Sequence, residues 1–305
     1  MDEVFARFRG LLFSIAYRML GSATEAEDIV QEAYLRYLRE TETGTQVQSP
    51  KAYLSAITTR LSIDHLRSAR VRRETYVGTW LPEPLVTDEE SLSERAAETA
   101  DSLSMGFLVV LESLTPVERA VFLLREVFEY DYAEIASVVG KSEENCRQIA
   151  NRARRQVQAR RPRFEASKAQ REELARRFFE AAAEGDFEGL VEMLAADVVA
   201  YADGGGKGSA FPRPVHGRER IVRLLQGPAA RGERLSVVAL RLAEVNGQPG
   251  ALFFDRDGVL VVAVSLDIAH GQIQTLRAVS NPEKLAHLRA TTSASSAVPI
   301  REFVG

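Results

Sequence analysis

The chain has 305 residues, of which 45% are hydrophobic, which is enough for two or three packed domains and excludes a wholly disordered protein. The formal net charge is −4, so any nucleic-acid binding has to come from local basic segments rather than from the average charge. The single cysteine, Cys146, excludes an intramolecular disulfide, and we expect a small buried side chain there rather than a redox switch. The N-terminus does not resemble a signal peptide, and no apolar run approaches the ~20 residues of a membrane span. These features predict a cytoplasmic protein without a membrane partner.

The first seventy residues are predicted to be helical. Apolar residues recur at helical spacing from 4 to 19. A capping-box sequence, Thr24–Glu27, is expected to start a second helix. Ser49 is placed to cap a third helix whose first residue is Pro50. Residues 1–75 are therefore predicted to form an all-α domain.

Residues 76–104 are predicted to be a linker. The sequence WLPEPL, at 80–85, contains two prolines and is incompatible with a regular helix. Between Val86 and Ser104 there are six acidic residues and one basic residue. The linker is therefore expected to be extended and acidic.

A helix-turn-helix is predicted within residues 105–163. Thr115–Glu118 combines a cap, a proline at the first helical position and a glutamate three residues after the cap. A short helix over 132–138 follows, Gly140 makes the turn, and Ser142 caps a longer helix. In such a motif the second helix enters the major groove of DNA.

The second helix of this motif is strongly basic. From Ser142 to Arg163 there are seven arginines and two acidic residues, and both acids lie in the first turn, where they favour the helix dipole. We expect base contacts from Arg147, Gln148, Asn151 and Arg152, and phosphate contacts from Arg154 and Arg155. The alternative is an arginine-rich, solvated helix of an ordinary bundle.

The C-terminal part, residues 168–290, is predicted to be an α+β domain with a mostly antiparallel sheet. Two helices are followed by β-type apolar runs, and the pairs Asn246-Gly247 and Asp257-Gly258 are typical hairpin turns. The tail, 291–305, is rich in small polar residues and is expected to be loose.

A second basic helix lies in the N-terminal domain. Between Arg60 and Arg73 there are five arginines, His65 and one acid, Asp64. Two different basic helices in one chain indicate two DNA elements contacted at once, with an affinity that falls steeply with salt.

The residues of both helices resemble the sigma-70 family of transcription initiation factors. Residues 28–33, DIVQEA, resemble the helix that binds the clamp of core RNA polymerase. Residues 49–73 resemble the region that melts the promoter and reads its −10 element, and residues 111–156 resemble the region that reads the −35 element. Because there is no room for the middle domains of housekeeping factors, the chain resembles the extracytoplasmic-function sigma factors.

Three further motifs resemble a subgroup with a SnoaL-like C-terminal extension. They are WLPEPL at 80–85, DGGGK at 203–207 and NPEKL at 281–285. The resemblance implies two helical domains followed by a ketosteroid-isomerase-like cone, in which a curved sheet and helices enclose a pocket.

The resemblance also implies roles for single residues. Polymerase would contact Asp28, Gln31 and Glu32. The loop 46–49 and the following helix would lie near the unwound −10 strand, through Ser49, Tyr53, Arg60, Asp64 and Arg67. For Tyr53, base stacking and a place in the core remain alternatives. A regulatory contact between the three motifs would involve Trp80, Leu81, Pro82, Asp203, Gly204, Gly205, Gly206, Lys207, Asn281, Pro282 and Lys284, the alternative being that DGGGK is only a flexible turn.

The C-terminal domain leaves a choice between enzyme and regulator. Some cone-fold relatives use a buried acid and base, for which Tyr201, Asp203, His216 and Asp267 are candidates here. The histidines, His65, His216, His270 and His287, have no metal-ligand spacing, so no metal or cofactor is expected. We expect regulation rather than catalysis, with an unidentified small molecule in the cone as a further partner.

The predicted function is that of a sigma factor whose partners are core RNA polymerase and promoter DNA, regulated by its own C-terminal domain. One alternative is a ligand-responsive regulator that binds duplex DNA without polymerase. The other is an isomerase-like enzyme with a DNA-binding appendage.

Overall fold

The computed structural model describes residues 3–44, 47–74, 76–87, 102–159, 167–207, 210–226, 237–289, 292 and 297–300, with side chains of the third helix up to Ser68. Contacts divide the chain into two units. The first, called the helical unit, comprises Met1–Thr75 and Leu108–Arg161. The second, called the sheet unit, comprises Tyr76–Phe107 and Pro162–Gly305, so that the described linker residues belong with the C-terminal domain.

The helical unit begins with three helices, α1 (Glu3–Leu20), α2 (Ala23–Glu42) and α3 (Pro50–Glu74). Their apolar faces meet in a cluster of buried side chains, Phe5, Leu12, Val30, Tyr37 and Leu54. The predicted cap of α2 at Thr24 was wrong. Ser22 caps this helix instead, because its hydroxyl accepts the amide hydrogen of Glu25 at 3.1 Å.

Four helices follow, α4 (Met105–Leu111), α5 (Pro116–Glu126), α6 (Tyr132–Val139) and α7 (Glu143–Gln158). The capping box at Thr115, the left-handed Gly140 (φ +66°) and the Ser142 cap are confirmed. The helix-turn-helix is therefore built as the sequence predicts, with α6 as its first helix and α7 as its second.

The helix-turn-helix has its own apolar core, made by Val121, Leu124, Ile135, Val138, Cys146 and Ile149. Cys146 is completely buried, which confirms its prediction as a core side chain. Burial also raises the pKa of its thiol, so the reactive thiolate is disfavoured.

The sheet unit contains the helices α8 (Lys168–Glu184), α9 (Phe187–Met193), α10 (Arg218–Leu225) and α11 (Pro282–Arg289). Its strands are β1 (Leu194–Asp203), β2 (Val215–His216), β3 (Val237–Val245), β4 (Gln248–Asp255), β5 (Leu260–Ala269), β6 (Gln272–Val279) and β7 (Val298–Pro299). They form one sheet in the order β2-β1-β6-β5-β4-β3-β7, in which only the β1–β6 pair is parallel among the described strands. The mostly antiparallel sheet is thus confirmed.

Tight turns join the antiparallel strands. Asn246-Gly247, with φ of +55° and +69°, closes the β3–β4 hairpin as predicted. His270-Gly271, with φ of +52° and +70°, closes β5–β6 in the same way. The tail, which was predicted to be loose, contains one ordered segment. Val298–Pro299 pairs with β3 and covers part of that edge strand. The rest of 291–305, apart from residues 292, 297 and 300, lies outside the described residues.

The two faces of the sheet bury different kinds of side chain. One face packs against α8, α9 and α10 through an apolar cluster that includes Phe178, Leu190, Ile221, Leu266 and Leu276. Side chains alternate along a strand, so Tyr201 and Asp203 of β1 and Ser265 and Asp267 of β5 point to the other face. That second face carries these polar groups among buried apolar side chains such as Leu252 and Ala263, and it is the one that meets the linker.

Within the described residues, no helix has both the length and the apolar character needed to cross a membrane.

Candidate functional site

Helix α7 presents an apolar face to its core and a polar face outward. Its buried residues are Cys146, Ile149, Ala150, Ala153 and Val157. Of the predicted DNA-contacting residues, Arg147, Gln148, Asn151, Arg152 and Arg155 are exposed and Arg154 is half-buried. The structure therefore brings all six together on one helix, with the side chains directed away from the core.

Two of these arginines are held by neighbours. Arg154 forms two hydrogen bonds with the carboxylate of Glu126, at 3.0 and 2.6 Å, and this pairing raises the pKa of the guanidinium group. Arg147 pairs with Glu143, one turn before it, at 2.8 Å. An arginine held by two bonds, as Arg154 is, loses less freedom when it meets a phosphate or a base edge, whereas the exposed Arg147 pair restrains its side chain only weakly.

The residues predicted to read the −10 element begin at the cap of α3 and continue along this helix as far as Arg67. Ser49 is exposed and caps the helix, since its hydroxyl accepts the amide hydrogen of Ala52 at 3.4 Å. Asp64 and Arg67 are exposed and pair with each other at 3.3 Å. Gln46 and the side chains of Arg70, Arg72 and Arg73 lie outside the described residues.

The surroundings of Tyr53 are compatible with both base stacking and a place in the core. Its ring lies against Tyr37, with 6.2 Å between centroids, and it packs at the edge of the apolar cluster of α1–α3. Burial, with a smaller contribution from Glu40, raises the pKa of its hydroxyl group. The ring is only partly buried, so one side still meets solvent.

Arg60 contacts the helix-turn-helix. Its guanidinium group donates hydrogen bonds to the carbonyls of Val138 (2.9 Å) and Ser137 (2.7 Å), which lie at the C-terminal end of α6. The end of a helix carries unpaired carbonyls and partial negative charge, so it is a favourable site for a cation. The guanidinium group of Arg60, which is predicted to contact DNA, is therefore bound to the helix-turn-helix instead.

Further contacts join the same two parts of the helical unit. The hydroxyl of Tyr130 donates to Ser55 Oγ at 2.7 Å, and both side chains are buried. Arg119 of α5 donates to the carbonyl of Met19, at the end of α1, at 2.7 Å. Helix α3 thus packs directly on the helix-turn-helix.

The predicted polymerase-binding residues share one face of α2. Asp28 and Gln31 are exposed, and Glu32 is half-exposed and pairs with Arg36 at 2.7 Å. Leu35, on the same face, has 45% of its surface exposed. The assignment of these residues to polymerase binding rests on the resemblance of residues 28–33 and stays a prediction.

The regulatory motifs converge on one carboxylate, that of Asp203 at the end of β1. It is completely buried and accepts hydrogen bonds from the Tyr76 hydroxyl, from the Leu81 backbone amide at 2.8 Å and from Lys284 at 2.7 Å. Burial and the bond to Asp203 raise the pKa of the Tyr76 hydroxyl group. The linker and α11 therefore meet the second face of the sheet at this point.

Lys284 completes this arrangement, which we call the linker lock. Its ammonium group contacts Asp203, donates to the carbonyl of Leu81 and lies over the rings of Tyr76 (4.8 Å) and Trp80 (4.5 Å). Carboxylate, carbonyl and two aromatic faces together replace the water that a lysine normally keeps. Leu81 and Pro82 are buried, whereas Pro282 is exposed and begins α11.

The glycines of DGGGK have a steric reason. Gly205 has φ +59°, and a Cβ atom there would lie 2.3 Å from Nδ2 of Asn281. Gly206 has φ +72°, and a Cβ there would lie 3.3 Å from Val77. The carbonyl of Gly204 accepts the amide hydrogen of Lys207, and Lys207 pairs with Glu283. The segment is a tight turn that lets α11 and the linker approach the strand end.

Asn246 makes contacts that its place in an Asn-Gly turn does not reveal. It is completely buried; its side-chain oxygen accepts from the Leu85 amide at 2.9 Å and its side-chain nitrogen donates to the carbonyl of Leu103 at 3.0 Å. Thr87 adds a bond between its backbone amide and the carbonyl of Glu244 at 2.9 Å. Asn246 therefore attaches both described parts of the linker to the β3–β4 hairpin. The preference of Asn for hairpin turns explains its presence equally well, so the sequence does not indicate this role.

Two of the candidate catalytic carboxylates are held in buried ion pairs. Asp203 is used by the linker lock, and Asp267 is paired with Arg277, which also lies over the Tyr201 ring at 5.7 Å. These groups point away from the apolar face that the helices cover. His216 is exposed on β2. In the part of the chain that the structure describes, no three His, Cys, Asp or Glu side chains are grouped as metal ligands.

Comparisons with known proteins agree with this architecture. Residues 4–72 match the family Sigma-70 region 2, residues 105–157 match Sigma-70, region 4, and residues 175–280 match the SnoaL-like domain. A two-part helical DNA-binding unit followed by a SnoaL-like domain defines the class of protein, a transcription initiation factor.

Relatives that span most of the chain identify the family. The chain is 37% identical over 288 residues to the ECF RNA polymerase sigma factor SigJ of Mycobacterium tuberculosis, covering 92% of this chain and 91% of that protein. It is 33% identical over 285 residues to the probable ECF RNA polymerase sigma factor SigI of the same species, covering 92% and 93%. The crystal structure of SigJ matches with a TM-score of 0.73 at 34% identity, covering 92% of this chain and 98% of that one. The chain belongs to the extracytoplasmic-function sigma factors of the sigma-70 family.

Proposed function

We propose that this sigma factor reads the −35 element with α7 and the −10 element with α3, and that it converts from a closed to an open form to do so. The observation that carries the proposal is the pair of hydrogen bonds from Arg60 to α6. Arg60 is predicted to read the −10 element, yet it is bound to the helix-turn-helix that is predicted to read the −35 element. Polymerase binding is assigned to the α2 face of Asp28, Gln31 and Glu32. Because its partner is the transcription machinery, we infer that the protein acts in the cytoplasm.

The distance between the two promoter elements is the reason for proposing that the protein opens. The names of the two elements place them about 25 base pairs apart, or about 85 Å at about 3.4 Å per base pair. Helices α3 and α7 have 25 and 16 residues, or about 37 and 24 Å at about 1.5 Å each. Even end to end the two helices do not span the two elements, so contacts such as that of Arg60 have to break on the promoter.

The linker lock offers a means of regulation. Residues 76–87 and 102–107 join α3 to α5 along the chain, and they are bonded to the C-terminal domain through Asp203, Lys284 and Asn246. Chain that is held in this way does not contribute to the reach between the two DNA-binding parts. We infer that releasing the lock favours the open form and raises transcription.

DNA reading is tested by run-off transcription with core polymerase and genomic fragments, followed by point changes in the promoter found. Arg147→Ala and Arg152→Ala should abolish most discrimination at the −35 element and leave the −10 element effective. The matched control is Arg223→Ala, an exposed arginine of α10. Absence of a transcript from every fragment, combined with tight duplex binding by the free protein, would favour the ligand-responsive regulator instead.

Opening is tested by energy transfer between dyes on Arg39→Cys and Ala159→Cys, two exposed positions, while the buried Cys146 stays unlabelled. Core polymerase with promoter DNA should lower the transfer efficiency. Tyr130→Phe, which removes the bond to Ser55, should lower it for the free protein as well, because a buried hydrogen bond contributes about 1 kcal/mol. Unchanged transfer on the promoter would contradict the closed-to-open proposal.

Regulation by the lock is tested in the full-length chain. Asp203→Ala should raise the transcript level from a matched promoter, whereas Lys207→Met, which affects only an exposed pair, should not. Equal transcript levels from the wild type and both variants would remove the regulatory role.

A small-molecule ligand stays a prediction. A cleft of about 370 Å³ lies beside α8 and β3–β4, lined in part by Lys168, Glu172, Arg176 and Glu244. Lys168 is paired with Glu244 at 3.1 Å and Arg176 with Glu173 at 2.6 Å, so these charges already neutralise one another. The cleft does not select a ligand class.

A further inference from the structure

Tyr132, the first residue of α6, is surrounded by arginines. The guanidinium carbon of Arg125 lies 4.9 Å from the centre of its ring, and that of Arg147 lies 5.2 Å from it. Cations at this distance from an aromatic face are attracted by its electron density. Two arginines from two other helices thus meet on one ring.

A third arginine, Arg154, also contacts Tyr132. The bond to Glu126 is the main cause of the raised pKa of Arg154, and the Tyr132 side chain adds to it. Arg147 and Arg154 are seven residues apart, so they lie on the same face of α7, two turns from each other. The Tyr132 ring therefore meets the predicted reading face at Arg147, while its side chain also influences Arg154.

The position of the ring is itself fixed. Asp131 caps α6 by accepting the amide hydrogen of Glu134 at 2.7 Å, and this sets the direction in which the next residue leaves the helix start. Arg125 also donates to the carbonyl of Tyr130 at 3.0 Å. The start of α6 is thus held by contacts outside α7, and the ring itself packs against the apolar core of the helix-turn-helix.

Arg147 needs such support. Its bond to Glu143 joins two side chains that are each nearly half exposed (47% and 46%), and exposed pairs of this kind hold a side chain weakly. An unrestrained arginine side chain loses much rotational freedom when it binds, whereas a stacked one is already restricted. The ring is therefore the contact that decides where the guanidinium group lies before DNA arrives.

We propose that Tyr132 is a positioning residue for promoter recognition, which stacks Arg147 in the geometry that α7 uses at the −35 element. The inference rests on the proposed role of α7 in reading that element. Tyr132 would act through the arginines, without a base contact of its own.

The test uses holoenzyme, made from core polymerase and the full-length chain, on a promoter library randomised at the −35 element. Tyr132→Leu should lower the preference for the best −35 base over the others by about fivefold, the effect of losing cation–π contacts of about 1 kcal/mol. Tyr132→Phe keeps the stacking ring and should retain the preference at the base read by Arg147. Discrimination at the −10 element should remain as in the wild type in both variants.

A matched control separates positioning from stability. Val139→Ala, on the same helix, trims a partly buried residue of the apolar core and leaves the Tyr132 ring unchanged. It should lower transcription from all library members by a similar factor and leave their ranking unchanged. If Tyr132→Leu behaved in the same way, the positioning role would be refuted.

A double-mutant cycle distinguishes the two levels of the proposal. With Arg147→Ala already present, Tyr132→Leu should cause little further loss, because the two side chains act as one unit. If Arg147→Ala alone left discrimination intact, the role of α7 would fail. If Arg147→Ala lost discrimination and Tyr132→Leu kept it, only the role of Tyr132 would fail.

Discussion

The ammonium group of Lys284 lies 2.7 Å from the carboxylate of Asp203, with side-chain exposures of 10% and 0%. A buried pair is costly to break, because the remaining charge has neither its partner nor water. Lys284→Met should therefore lower the free energy of unfolding of the sheet unit by about 3–5 kcal/mol. Urea unfolding of the full-length chain, followed in the sheet unit by the fluorescence of Trp80, measures this.

The control for this change is Lys207→Met. Lys207 is paired with Glu283, but the side chains are 61% and 71% exposed, so solvent already screens the pair. No measurable change in unfolding is expected. Equal effects of the two substitutions on the free energy of unfolding would show that the buried Lys284–Asp203 pair contributes no more stability than the exposed Lys207–Glu283 pair.

Gly205 should tolerate no side chain. Gly205→Ala would place a residue with Cβ at φ +59°, and that Cβ would displace Asn281 from its 2.9 Å bond to the Tyr76 hydroxyl. We expect a loss of about 3 kcal/mol, from about 1–2 kcal/mol of backbone strain and a lost buried hydrogen bond. Thermal unfolding of the full-length chain gives the value.

Gly271 provides the matched comparison for that substitution. It has φ +70°, but no other atom lies within 4 Å of the place that a Cβ would take, so Gly271→Ala meets only the backbone strain. That strain is about 1–2 kcal/mol, as at Gly205. If both variants lost the same stability, the close approach of Asn281 would have no energetic role.

Local sequence signals predicted the elements well and their contacts less well. The Thr115 capping box, the Gly140 turn and the Asn246-Gly247 hairpin are encoded within a few residues, and each is present. The cap of α2 was misplaced because Ser22 and Thr24 are both good caps, and only the fold selects between them. For such local features the sequence is nearly sufficient.

Contacts between distant residues were predicted only where the family resemblance pointed to them. The convergence of WLPEPL, DGGGK and NPEKL was expected from the resemblance, whereas the role of Tyr76 and Asn246 was not. Nothing in the residues around Asn246 indicates a partner at Leu103, 143 positions away in the chain. Likewise, Arg60 was assigned to DNA, and its bonds to α6 depend on how the helices pack.

Alkaline pH should weaken the linker lock through Tyr76. Burial and the neighbouring Asp203 raise the pKa of its hydroxyl, so the folded state holds this proton more tightly than the unfolded chain, in which a tyrosine has a pKa of about 10. The stabilisation is complete below about pH 10 and is lost as the pH rises further. Tyr76→Phe should be less stable at pH 8 yet lose stability less steeply above pH 10.

Unfolding free energies of both proteins between about pH 8 and pH 11.5 provide the comparison, the other tyrosines being common to both. Parallel curves over the whole range would mean that the Tyr76 proton is not linked to folding.

Asn246 should control one part of the linker independently of Asp203. Asn246→Gly keeps the positive φ of the turn and removes the amide group, so the Leu85 amide and the Leu103 carbonyl lose their partners. Each lost bond in a buried place costs about 1–3 kcal/mol, and local opening becomes correspondingly easier. Amide hydrogen exchange should accelerate at Leu85 by at least about tenfold, the equivalent of about 1.4 kcal/mol, while the amide of Leu81, which Asp203 holds at 2.8 Å, keeps its protection.

Asp203→Asn should produce the reverse pattern, with faster exchange at Leu81 than at Leu85. Simultaneous loss of protection at both amides in either variant would mean that the linker leaves the sheet as one cooperative segment, and that the two attachments are not independent.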